Sequence, residues 1–355
     1  MAPLRFVSRF LTAIVSLLLL AAAAGLWSFK VLEAAPAGGA VDALPRTEDG
    51  GYVFSVSAGE SAAAVGARLS DSGLIRSPLL WNLVARVDSE KIKTGSYSLR
   101  PTAGMLEIRE VLVSGRQILV RVTVPEGFTL RKTAELLEAR GIVDADSFLA
   151  AATDEAFVRG LGIPARSAEG YLFPDTYLFP KDYEARQAVK AMVRTFFSRL
   201  DSILPEAFRT STDEELYDRL ILASIVEREY RVADEAPLMA GVFLNRLRIG
   251  MALQSCATVE YVITEIQGKP HPDVLYNRDI AIQDPFNTYI KPGLPPGPIS
   301  SPGLVALEAA FKPQASDYLY FRLVDPAEGR HRFSRSFDDH IQAGVIYLKA
   351  TKAGS

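Results

Sequence analysis

VSAGESAAAVGARLSDSGLI, residues 56–75, and VPEGFTLRKTAELLEARGIV, residues 124–143, align without a gap at an offset of 68. Val56 answers to Val124, Gly59 to Gly127, Ser61 to Thr129, Leu69 to Leu137 and Gly73 to Gly141. Each copy predicts the same small unit. A short strand ends at a glycine turn. Ser or Thr then takes a helix N-cap, where its oxygen can accept an orphan backbone N–H. An amphipathic helix of about two to three turns follows, and the second glycine stops it at C′. After the first copy, GSYSL (95–99) and MLEIREVLVSG (105–115) add a strand and a helix. The repeat therefore sets out one small α+β module over 52–120 and begins a second, larger domain over 121–352, whose segment 121–165 repeats the unit.

Beyond the repeat the period changes. Helices are expected at Ala185–Leu200, Asp213–Tyr230 and Glu235–Arg248. The last carries Leu238, Val242, Phe243 and Leu247 at helical spacing, with Pro237 suited to its first turn. KPGLPPGPISSPG (291–303) is a long Gly/Pro-rich loop, and YLYFRLV (318–324) reads as a strand. Strands and helices mix without regular βαβ alternation, so the fold class is α+β.

The first thirty residues are of another kind. Leu11–Phe29 carries no charge, and at about 1.5 Å per residue a helix of that length spans nearly the ~30 Å hydrocarbon core. Arg5 and Arg9 precede it, which places the N-terminus in the cytoplasm and the rest of the chain outside, as a single-pass protein of the cytoplasmic membrane. A signal peptide cleaved near Ala21–Ala24 is the other reading, but the apolar run continues past those alanines. Residues 31–51, rich in Ala, Gly and Pro, read as a tether.

Composition excludes several functions. Lys and Arg total 39 against 42 for Asp and Glu, which lacks the basic excess of a nucleic-acid binder. One cysteine and three histidines provide no zinc spacing, so no metal is expected. No phosphate-binding loop is present, and Gly160-Leu161-Gly162 lacks the third glycine of a dinucleotide motif, so no cofactor is expected either.

ILASIVEREY (221–230) is the most core-like helix of the second half, and it ends in Glu-Arg-Glu. Apolar residues fill Leu220–Val226 on almost every face, with Ser224 the polar exception. A carboxyl emerging from such a wall is partly desolvated, and its pKa rises toward that of a useful acid. Periodicity alone does not choose between Glu227 and Glu229, nor exclude a simple pairing of Glu227 with Arg231. Two further stretches suit a sugar groove, where rings stack on apolar sugar faces and carboxylates hold hydroxyls. They are EGYLFPDTY (169–177) and the loop DPFNTYIKPGLPPGPISSPG (284–303).

Taken in order, LASIVERE, VFLNRLRIGMALQS, NTY, GLPPGPI, SPG, YLYF and a later H-x-F resemble the YceG-like family of endolytic murein transglycosylases, from about Tyr52 to Leu348. The first repeat copy is similar to a LysM-like module. The resemblance implies a membrane helix, a LysM-like module and a C-terminal catalytic domain. It also implies that Glu227 is the catalytic acid, with a glycan groove lined by Glu169, Tyr177, Arg246, Gln254, Asn287 and Tyr289. Partners implied are peptidoglycan strands, the membrane and peptidoglycan synthases. The reaction implied closes a 1,6-anhydro ring on N-acetylmuramic acid and limits strand length. Cys256 and Ala257 stand where many members have Asp-Pro, which is read as a turn difference. Two other readings stay open. One is a muramidase using water with Glu229, Asp175 or Asp284 as second carboxylate. The other is a wall-binding scaffold without chemistry.

Overall fold

The computed structural model describes residues 2–36, 44–47, 50–57, 59–87, 90–100 and 102–343. Parts of the expected tether (37–43, 48–49) and the expected end of the catalytic domain (344–352) lie outside them. The chain divides into two compact units, Met1–Leu119 and Val120–Ser355, and the described residues mix helices with three two-stranded sheets.

The first unit opens with α1 (Ala2–Glu33). Its segment Val15–Glu33, mean hydropathy 1.9, is long and apolar enough to cross a membrane by length and composition. Leu17–Leu20, Leu26 and Trp27 are exposed, so among the described residues no core accounts for this run. The helix passes the expected end at residue 30 because no helix breaker intervenes before Pro36. Next come β1 (Tyr52–Val56), α2 (Ala62–Asp71), α3 (Pro78–Val87), β2 (Gly95–Leu99) and α4 (Met105–Ser114). β1 and β2 pair antiparallel, with Phe54 opposite Tyr97. Order begins earlier than Tyr52: Val53 N–H donates to Pro45 O (2.8 Å), and Leu44 packs on the core. Trp81, Phe54, Tyr97, Leu69 and Ile108 fill that core. A Cβ on Gly66 would overlap the Trp81 ring, so this glycine lets α2 and α3 close on each other.

The second unit comprises β3 (Leu119–Thr123), α5 (Leu130–Ala139), α6 (Ala145–Ala152), α7 (Glu155–Gly160), β4 (Thr176–Pro180), α8 (Ala185–Ile203), α9 (Pro205–Thr210), α10 (Asp213–Glu229), α11 (Ala236–Arg248), α12 (Cys256–Tyr261), α13 (Asn277–Ile280), α14 (Leu304–Phe311), β5 (Tyr320–Asp325) and β6 (Arg330–Ser334). β3 pairs with β4, and β5 with β6. The three long helices expected here form, their ends differing by up to three residues from the expected ones. EGYLFPDTY is only partly a loop: its last two residues, Thr176 and Tyr177, begin β4.

The 68-residue repeat folds alike in both copies. Ser61 and Thr129 cap α2 and α5, each accepting a backbone N–H at 3.2 Å. Gly73 and Gly141 sit at φ +70° and +65°. Leu74 N–H reaches Leu69 O (2.8 Å) and Ile142 N–H reaches Leu137 O (3.0 Å), so both helices end in a Schellman turn.

α10 is the axis of the second unit, packed between α14 and α11. Leu220–Val226 are all at most 3 % exposed, as the unbroken apolar run requires. Its start is fixed by a capping box. Glu215 N–H donates to Thr212 Oγ1 (3.2 Å), and Thr212 N–H to Glu215 Oε2 (2.8 Å). Its end, at Glu227–Glu229, surfaces beside two loops.

Candidate active site

One polar residue inside the apolar helix organises the first loop. Ser224 Oγ bonds back to Ile221 O (2.7 Å) and accepts Ile299 N–H (3.0 Å), while Ser224 O accepts the Ser300 hydroxyl (3.1 Å). These bonds pin the ISSPG end of the Pro-rich loop along α10. One turn later Glu227 meets the same strap: its Oε2 accepts Gly303 N–H at 2.9 Å. Gly303 is the N-cap of α14, so the carboxyl faces a helix N-terminus, which favours negative charge.

The second copy of the repeat closes the other side. Gly127 N–H donates to Ser301 O (2.9 Å), and Ser301 N–H to Phe128 O (2.8 Å). Gly127 holds φ +73°, and a Cβ there would sit 3.7 Å from Glu227 Cγ. The neighbouring Glu126 lies against Gly303 so closely that a methyl group on that glycine would overlap its carboxyl.

These contacts set the charge on Glu227. Burial is the largest influence and raises its pKa; Glu126 adds repulsion, while Gly303 N–H and Arg228 pull the other way, leaving it at about 7. At neutral pH this group can therefore both hold and give a proton. The Tyr230 phenol is raised by burial and by the charges of Glu227 and Glu126.

Glu229 belongs to a different environment. Two residues on, it points to another face of α10, where the Ser255 hydroxyl donates to its Oε1 at 2.5 Å. Burial raises its pKa, Ser255 opposes, and Glu260 adds repulsion. Arg228 is held by Glu260 at 2.9 Å. The two acids of equal standing in the sequence are thus separated by their partners: Glu227 meets a backbone N–H and a turn, Glu229 meets a serine.

The six residues expected to line a groove divide. Glu169 is buried and accepts Leu130 N–H at the start of α5 (3.0 Å); burial first, and Glu265, push it up to about 8. Tyr177 is buried and donates to Phe173 O (2.6 Å). Arg246 is buried and donates to Leu319 O (2.7 Å) and Leu253 O (2.6 Å). Asn287 is fully buried and donates to Ile280 O and Ile282 O. The polar groups of these four turn to the backbone rather than to solvent. Gln254 and Tyr289 remain accessible. Gln254 is exposed and holds φ +50°, a left-handed conformation that costs a non-glycine residue about 1 kcal/mol. Tyr289 is half-buried, with its hydroxyl 3.1 Å from Cys256 Sγ. Cys256 and Ala257 open α12 directly after its N-cap, Ser255. The departure expected from Asp-Pro therefore falls in the first turn of a helix, where Asp and Pro are both favoured.

Each of the three second-carboxylate candidates has a partner of its own. Asp175 is paired with Arg199 (2.8 Å), Asp284 accepts Phe286 N–H (2.8 Å), and Glu229 is engaged by Ser255. The carboxylate that acts on Glu227 is Glu126. At the offset of the repeat Glu126 answers to Ala58, while Phe128 answers to Glu60, so the second copy carries its turn carboxylate two positions earlier. In the sequence Ser224 is only a polar interruption of an apolar run, and Gly303 only one glycine of a Pro-rich loop.

Comparison with known proteins gives a consistent result. A family model described as the YceG-like family matches residues 54–344. A protein of Streptococcus pneumoniae serotype 2 called endolytic murein transglycosylase is 28 % identical over 315 residues, covering 79 % of this chain and 56 % of that protein. The chain thus spans little more than half of that relative's length. A Bacillus subtilis protein of the same description is 28 % identical over 314 residues, covering 84 % of this chain and 85 % of its own. The crystal structure of a yceG-like protein from Listeria monocytogenes superposes with a TM-score of 0.56 at 28 % identity, covering 82 % of this chain and 98 % of that one.

Proposed function

The chain belongs to the YceG-like family, and from that premise we propose that it is an endolytic murein transglycosylase, a lyase that cuts within peptidoglycan strands. The observation that carries this reading is the placing of Glu227: a carboxyl that emerges from a buried helix, is held by one backbone N–H, and is raised to a pKa of about 7 chiefly by burial. A group that is half protonated near neutrality can serve twice. As acid it protonates the glycosidic oxygen, and the C1–O bond breaks. As base it takes the proton of the C6 hydroxyl of N-acetylmuramic acid, whose oxygen attacks C1 and closes a 1,6-anhydro ring. The Gly303 N–H supports the carboxylate between these steps. No water enters and the proton count closes.

Around that step we assign Gln254 and Tyr289 to contact with the strand. Glu169, Tyr177, Arg246 and Asn287 position the walls, since their polar groups face the backbone. We assign α1 to the cytoplasmic membrane, with Arg5 and Arg9 on the cytoplasmic side. The catalytic unit then works outside, near strands as they are made and near the synthases that make them. The β1-α2-α3-β2 unit supports reading residues 52–120 as a LysM-like glycan-binding module.

One observation favours a second reading. Glu126 is a carboxylate close to Glu227, and two carboxylates are what a hydrolytic muramidase uses. Product mass separates the two. Strands digested by the full chain should carry 1,6-anhydro ends, lighter by one water than reducing ends, and Glu227→Gln should reduce their formation at least ~100-fold. Reducing ends from the wild type would establish hydrolysis instead.

A further inference from the structure

Where α10 ends, just past Glu227 in the chain, residues 228–231 and the β5–β6 hairpin line a cleft of about 510 Å³ that the chemistry above does not use. Arg228, Tyr230, Arg231 and Arg322 line it, with Glu229 and His331. Tyr230, the C-cap of α10, lies three residues past Glu227 and lines this cleft. The carboxylates around the cleft are already engaged. Glu229 takes the Ser255 hydroxyl, and Glu260 takes Arg228. Glu235 takes His331 (2.8 Å), and Asp325 takes the amides of its own turn. Arg231 and Arg322 are exposed, and neither has an ion pair or hydrogen bond among the described residues.

The hairpin fixes where both side chains start. Gly329, at φ +71° in the hairpin turn, presses on the Arg231 stem so closely that a Cβ would lie 2.9 Å from Arg231 Cβ. Arg322 stands directly across the hairpin from Arg332. Like charges at paired positions destabilise a sheet, and a local cost of that kind is expected where a site needs the charge. A planar guanidinium presents two parallel donors that match a carboxylate.

We propose that this cleft binds a carboxylate of the peptide stem carried by the sugar next to the cut bond, so that the enzyme selects stem-bearing strands. The proposal rests on the assignment of peptidoglycan as substrate. Arg231 and Arg322 grip the carboxylate, and Tyr230 joins this subsite to Glu227.

The test uses the full chain in detergent and two substrates, stem-bearing strands and the same strands stripped of peptide by an amidase. The wild type should favour stem-bearing strands at least tenfold in kcat/KM. In R231Q/R322Q that ratio should fall to about one. A ratio near one in the wild type, or one unchanged in the variant, overturns the proposal. A binding measurement separates this failure from failure of the reaction assignment. E227Q should bind a stem-bearing muropeptide at least tenfold more tightly than the peptide-free sugar, and R231Q/R322Q added to it should remove the difference. If that difference appears while the wild type cuts neither substrate, the subsite stands and the transglycosylase reading falls. Equal binding of both fragments by E227Q overturns the subsite. So does competition by inorganic pyrophosphate without competition by free stem peptide, because the cleft would then read phosphate.

Discussion

The chemistry turns on one carboxyl whose protonation is set by three neighbours, and those neighbours come from distant parts of the chain. Glu227 is raised by burial and by Glu126, and lowered by Gly303 N–H and Arg228. As the acid it must be protonated at the start, so kcat/KM should fall as pH rises through about 7. Glu126→Gln removes the repulsion, which lowers the Glu227 pKa and moves that alkaline limb to lower pH by a fraction of a unit. A pH–rate profile of the two proteins checks this, and an unmoved limb would remove Glu126 from the account. The sequence could nominate Glu227 and Glu229 because a buried run followed by acids is a local pattern. It could not rank them by periodicity, since what separates them is Gly303 for one and Ser255 for the other. Glu126 escaped for the same reason: its effect acts through space from a turn more than a hundred positions earlier in the chain.

Among the elements, α10 and the Pro-rich strap work as a pair. Ser224 holds Ile299 and Ser300 so that Gly303 N–H meets Glu227. Ser224→Ala strands the buried Ile299 N–H, which should destabilise the protein by about 1–3 kcal/mol. It should also lower kcat more than it raises KM, because the acid loses its placement. Denaturant unfolding read beside steady-state kinetics would check both, and full activity at reduced stability would limit Ser224 to folding. Elements that announce themselves locally were legible. The two repeat copies gave their caps and glycine stops, Ser61 with Gly73 and Thr129 with Gly141. Elements decided by tertiary pairing were not. Tyr177 looked like part of an aromatic loop, yet it lies in β4 because β3 is there to pair with it. Arg246 donates to the carbonyl of Leu319, a segment that the sequence gives no means of bringing near, whereas Asn287 finds its carbonyls at Ile280 and Ile282, within its own loop.

For the whole molecule, buried acids tie stability to pH. Glu169 and Glu227 have folded pKa values of about 8 and about 7 against an ordinary 4.5, so between those limits the folded protein holds protons that the unfolded chain has lost. Stability should therefore fall as pH rises from about 4.5 to about 8, by up to about 1.4 kcal/mol per pH unit for each proton. Glu169→Gln keeps an acceptor for Leu130 N–H and should flatten the upper part of that slope in thermal melts; an unchanged slope would deny the buried charge. At this scale the α+β class and the apolar N-terminal helix were legible, because both rest on period and composition. The approach of the Glu126 turn to α10, on which the site depends, was not. The most direct test of the central claim is the mass of glycan ends released by the full chain, wild type beside Glu227→Gln. The account predicts 1,6-anhydro ends from the wild type and almost none from the variant; reducing ends from the wild type, or undiminished cutting by Glu227→Gln, would contradict it.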